Sequence, residues 1–111
     1  CVDADTEALD FAAERLQYTP AADRVRFRRY NALRMVNAER NRRQFGPQDI
    51  VYTIGLLDYL EDEVLVRMLR ALYDLLEPGG RLIAVFMDSN RYQTVDYHWL
   101  GDWDAFLQRS E

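Results

Sequence analysis

The amino-acid sequence predicts an α/β domain: a parallel sheet with helices on both faces. Three observations carry the prediction. The period of the apolar pattern switches repeatedly between a helical repeat and short β-branched runs, as alternating helices and strands require. The clearest strands, "DIVYTI" from Asp49 and "RLIAVF" from Arg81, are near-continuous apolar runs, the mark of strands buried on both faces. The breakers "FGPQ" and "EPGG" stand directly before those strands, where a helix must stop and return.

Each element can be justified in order. Residues 1–4 read as a short strand, and Asp5 then stands where a helix N-cap belongs, its carboxylate able to accept from the free N–H groups of the first turn. The helix runs to about Gln17 with Ala8, Leu9, Ala12, Ala13 and Leu16 on one side, until "YTPAAD" breaks it. "VRFRRY" sets Val25 and Phe27 against arginines, the alternation of a strand with one wet face, and it ends at Asn31 and Ala32. Residues 33–44 are polar and arginine-rich and read as a short helix or an ordered loop. The strand from Asp49 ends at Gly55. Over residues 61–76, Val64, Leu65, Met68, Leu69, Leu72, Leu75 and Leu76 follow helical spacing while Arg67, Arg70 and Asp74 point elsewhere. Pro78 cannot continue that helix, and Gly79 or Gly80 can take the left-handed conformation that closes a helix end. Right-handed crossovers then bring the strands into one parallel sheet.

Length and composition bound the function. The 111 residues make a single domain, and 49% hydrophobic content argues against disorder. The net charge is −5, yet all 14 basic residues are arginines and eight fall between Arg24 and Arg43. With no nucleic-acid motif around them, these read as a solvated face on an acidic protein, so no nucleic-acid partner is expected. No apolar run reaches the roughly 18 residues of a membrane span, and no signal peptide is visible. The single cysteine, Cys1, permits no internal disulfide, so a cytoplasmic setting is expected. One histidine, no cysteine pair and scattered carboxylates give no metal site. The chain opens at "CVDAD" without a methionine and is expected to be a fragment of a longer protein.

In open parallel sheets the ligand sits beyond the carboxyl ends of the strands. The residues there are Asp3, Ala4 and Asp5, then Asn31 and Ala32, then 53–58, then 87–90. An acid at one strand end can accept two hydrogen bonds from a ribose diol. An asparagine amide at the next can pair with an adenine amino group and ring nitrogen. Together they describe a nucleoside pocket.

With these residues in hand, the chain resembles the middle and later part of a class I, Rossmann-like S-adenosylmethionine-dependent methyltransferase. "VDADTEALDFAAERL" is similar to that family's second-strand acidic motif, "VRFRRYNA" to its third-strand adenine motif, "DIVYTIGLLDYLEDE" to its fourth-strand motif, and "LLEPGGRLIAVF" to its helix-turn-strand leading into the fifth strand. "IGLLDYL", "NRY" and the Trp-rich tail look, more narrowly, like the methyltransferases that make hydroxy-fatty-acid methyl ester signals. The resemblance covers about residues 1–90. It implies a partial doubly wound parallel sheet, strands 2–5 of that fold. It implies further that Asp3 with Ala4 binds the ribose hydroxyls, that Asn31 with the Ala32 N–H binds adenine, and that Thr53, Ile54 and Gly55 line the methionine part of S-adenosylmethionine. The family's first strand and glycine-rich loop have no counterpart in these residues. The chain is therefore expected to be the later part of a catalytic domain and to bind the cofactor poorly by itself.

The remaining candidates have structural alternatives. Asp3 can simply start the helix turn beside Asp5, and Asn31 can be a turn residue. Asp49 lies at the wrong end of its strand for chemistry. Asp58 and Tyr59 occupy the acceptor side, with Tyr59 also suited to packing under the helix. His98, beside Tyr97, Trp99 and Trp103, could serve as a base, with an unperturbed pKa near 6.5. Methyl transfer needs the acceptor held close and in line rather than a protein nucleophile. A carboxylate acceptor, such as a fatty acid, needs no base, whereas a nitrogen or alcohol makes His98 or Asp58 relevant. Two other classes share these features: a nicotinamide-dependent oxidoreductase, which also carries an acid after the second strand, and a non-catalytic interaction domain built on the same sheet.

Overall fold

The computed structural model describes residues 1–86, which form two compact units, one of Cys1–Met35 and one from Val36 onward. Among the described residues there are three α-helices and two pairs of parallel strands, so the α/β class holds.

In the first unit, β1 (Val2–Asp3) leads into α1 (Thr6–Leu16), and β2 (Arg28–Arg29) returns parallel to β1, with Val2 opposite Arg28 and Asp3 opposite Arg29. The Arg28 N–H donates to the Cys1 carbonyl at 3.0 Å and the Tyr30 N–H to the Asp3 carbonyl at 2.7 Å. The helix starts where the sequence says it should: Asp5 Oδ1 accepts from the N–H groups of Glu7 at 2.8 Å and Ala8 at 3.4 Å. Leu9 is buried, with Ala12, Ala13 and Leu16 partly so, while Phe11 faces outward under the Arg15 guanidinium, 5.2 Å from its ring centre. The strand expected over residues 25–30 shrinks to Arg28–Arg29, because β1 offers only two residues to pair with. The predicted alternation nevertheless survives in burial: Val25 and Phe27 are half-buried and Arg26 and Arg28 exposed.

A 3-10 turn at Ala32–Val36 joins the units. The second then runs α2 (Ala38–Phe45), β3 (Gln48–Thr53), a 3-10 turn (Leu57–Tyr59), α3 (Asp62–Tyr73) and β4 (Leu76–Ala84). The ambiguous stretch before β3 is a helix because Asn37 caps it, its Oδ1 accepting from the Arg40 N–H at 2.8 Å. Gly46 closes it at φ 67°, its N–H bonded to the Arg42 carbonyl at 3.0 Å.

The return into β4 differs from the expectation. Helix α3 ends at Tyr73 rather than near residue 76, since Leu76 is already opposite Gln48 in the parallel β3–β4 ladder. "EPGG" is therefore a bulge inside β4, and the next partner of Ile50 is Arg81. Gly79, at φ 86°, makes the bend within this bulge instead of closing the helix. Gly80 has no room for a side chain: a Cβ there would lie 2.9 Å from the Glu77 carbonyl oxygen, 3.0 Å from that of Asp49 and 3.1 Å from that of Gln48.

The core of this unit is Leu57, Leu60, Leu65, Met68, Ala71, Leu72 and Leu75, gathered from α3 and the turns around it. Helix α3 contacts both α2 and β4. Val51, Thr53, Leu82 and Ala84 are half-buried, and the alternate positions are not: Ile50 is 57% exposed, Tyr52 67% and Ile83 49%. Successive residues of a strand face opposite sides, so the described residues cover the β3–β4 pair on one face only. The doubly covered sheet of four strands thus stands in the described residues as two separate pairs, and the apolar run of β3 serves one buried and one open face. Among the described residues no helix is long and apolar enough to cross a membrane.

Candidate functional site

The carboxyl end of the β1–β2 pair collects Asp3, Ala4, Asn31 and Ala32 at the tip of one parallel ladder. Asp3 is the last residue of β1, and its carbonyl takes the N–H of Tyr30, the residue before Asn31. Both candidate side chains also hold their own turns. Asp3 Oδ1 accepts from the Asp5 N–H at 2.9 Å, and Asn31 Oδ1 accepts from the Leu33 N–H at 2.9 Å. The structural alternative is therefore real for each, since short polar side chains favour such local bonds.

Those bonds leave the complementary atoms open. Asp3 Oδ2 and Asn31 Nδ2 engage no group among the described residues, and both residues are exposed. A carboxylate oxygen can accept from a sugar hydroxyl, and an amide NH2 can donate to a purine ring nitrogen. The turns fix both groups: the same bonds that satisfy the backbone restrict the side-chain rotamers from which a ligand would be met.

One contact at this tip was not legible in the sequence. The Arg29 Nε–H donates to the Ala4 carbonyl at 3.3 Å, crossing from β2 to the turn that carries Asp3. Only the register, Asp3 opposite Arg29, reveals which of the many arginines reaches there.

The carboxyl end of β3 belongs to the second unit and is apolar. Thr53 is half-buried and accepts the Val85 N–H on its carbonyl at 3.1 Å; Ile54 and Gly55 are exposed. Gly55 sits at φ 71° with nothing within 4 Å of where a Cβ would stand, a conformation only glycine adopts without strain. The acceptor-side candidates separate sharply. Asp58 is 3% exposed within the core, whereas Tyr59 is 51% exposed. Asp49 is exposed in the first half of β3, away from the tip. His98 and its aromatic neighbours, and residues 87–90 after β4, lie outside the described residues. No group of metal-ligating side chains occurs among the described residues.

No protein-family model matches this chain, and no curated protein or solved structure does either. The functional reading rests on the residues themselves.

Proposed function

We propose that this chain belongs to a cytoplasmic S-adenosylmethionine-dependent methyltransferase domain that acts on a small acceptor bearing a carboxylate, such as a fatty or hydroxy fatty acid. The observation that supports it most is the tip of the β1–β2 ladder, where an acceptor oxygen on Asp3 and a donor nitrogen on Asn31 stand open at the ends of neighbouring parallel strands. Asp3 with Ala4 takes the ribose hydroxyls, and Asn31 with Ala32 takes adenine.

Strand pairing is consistent with this reading. In a doubly wound sheet of order 3-2-1-4-5, the second strand pairs with the third and the fourth with the fifth. The pairs β1–β2 and β3–β4 are each parallel, as those neighbours are.

When bound, S-adenosylmethionine supplies an electrophilic methyl carbon. The protein's part is to hold the acceptor oxygen close and in line and to keep water away. Asp58 is buried, and among the described residues 53–59 the exposed ones are Ile54, Gly55 and Tyr59. This favours an acceptor with an apolar body that is already ionised at neutral pH and so has no proton to lose. The test is to incubate the full natural polypeptide with methyl-labelled S-adenosylmethionine and a series of long-chain carboxylic acids. Label that is released by mild alkali, as a methyl ester releases methanol, supports the proposal. Label in an alkali-stable product moves the acceptor to nitrogen or an alcohol, and no transfer to any acceptor counts against the activity.

A further inference from the structure

We propose that Arg29 is a positioning residue for nucleoside binding, acting through Asp3; the proposal rests on the reading of this tip as the ribose and adenine site. Two consecutive residues of the second strand and its exit bond to the turn that carries Asp3, and Asn31 comes directly after them. Arg29 donates from Nε to the Ala4 carbonyl at 3.3 Å, Tyr30 donates its N–H to the Asp3 carbonyl at 2.7 Å, and Asn31 follows as the adenine candidate.

The Ala4 carbonyl lies between two residues whose side chains are already committed. Asp3 holds the Asp5 N–H, and Asp5 holds the start of α1. Among the described residues, the bond from Arg29 ties the middle of this turn to a different strand, 25 residues away in the chain. Without it, the peptide between Ala4 and Asp5 keeps the Asp3 bond on its N–H but loses the hold on its carbonyl, so Asp3 Oδ2 is less firmly directed while β1 itself stays paired. Arginine suits the task because its planar guanidinium offers five N–H donors, of which this bond uses one. Arg29 is exposed and adds no core packing, so its effect falls on ligand geometry more than on folding.

A double-mutant cycle in the full natural polypeptide tests this, with S-adenosylhomocysteine as the probe and affinity measured by calorimetry. Arg29→Met is expected to weaken binding about fivefold, the size of one lost hydrogen bond. Arg29→Lys, which keeps a donor on a flexible stem, is expected to recover part of that loss. In an Asp3→Ala background, Arg29→Met is expected to cost nothing further. An equal fivefold loss in both backgrounds, or no loss in the wild-type background, overturns the assignment. If Arg29→Met does not fold, the Arg29→Lys cycle is read in the same way. A wild-type protein that fails to bind S-adenosylhomocysteine instead overturns the methyltransferase reading, which keeps the two failures distinct.

Discussion

Asp3 and Asp5 are two residues apart and both carry a carboxylate on a backbone N–H, yet the structure gives them different prospects. Asp5 satisfies two donors of the first turn of α1, and removing an N-cap of that kind costs about 1 kcal/mol. Asp5→Ala is therefore expected to lower the unfolding free energy by about that amount in urea titration. Asp3 holds one N–H with one oxygen and leaves the other open. Asp3→Ala is expected to destabilise less than Asp5→Ala while weakening binding of S-adenosylhomocysteine about tenfold or more, the loss of a charged hydrogen bond. The reverse ranking of the two variants would assign the ligand role to the wrong aspartate. The sequence could place both residues at the strand end because cap chemistry is local. It could not say that Asp58 is buried and Tyr59 exposed, since both follow Gly55 in a turn whose orientation is set by α3 packing from later in the chain.

At the scale of elements, helices were readable where their signals were local and strands where they were long. The start of α1 and the exposed and buried sides of α3 follow from capping and spacing. The sequence does not decide helix α2 because its face is almost wholly polar, and its decisive feature is the single cap at Asn37. "EPGG" reads in the sequence as a stop, whereas in the structure it is a bulge. A register shift depends on what lies across the ladder, here Gln48 and Asp49, and not on the turn residues alone. The bulge makes a sharp prediction. Gly80→Ala forces a methyl against three carbonyl oxygens and is expected to destabilise by about 1–3 kcal/mol, as overpacking does. Gly46→Ala meets no atom within 4 Å and is strained only by its backbone, at φ 67° and ψ 177°, so its cost is expected to be about 1–3 kcal/mol. Met68→Ala, at a fully buried position of α3, is expected to cost about 2–5 kcal/mol in the same denaturation experiment.

For the whole molecule, the alternation of helices and strands was enough to fix the α/β class and the parallel sense of each pair. The extent of the sheet was not, because a strand's apolar run does not state how many neighbours it has, and the described residues form two pairs with Ile50, Tyr52 and Ile83 uncovered on one of them. Of the candidate site, the sequence delivered the carboxyl tips and their residue types. The contact from Arg29 emerged only with the register. The account turns on a single ligand, an adenosine held between Asp3 and Asn31 as part of S-adenosylmethionine. Calorimetric titration of the full natural polypeptide with S-adenosylhomocysteine and, separately, with NAD addresses it directly. The account predicts binding of S-adenosylhomocysteine near 1 µM, roughly −8 kcal/mol, and no comparable binding of NAD. Binding of NAD with no response to S-adenosylhomocysteine would contradict it.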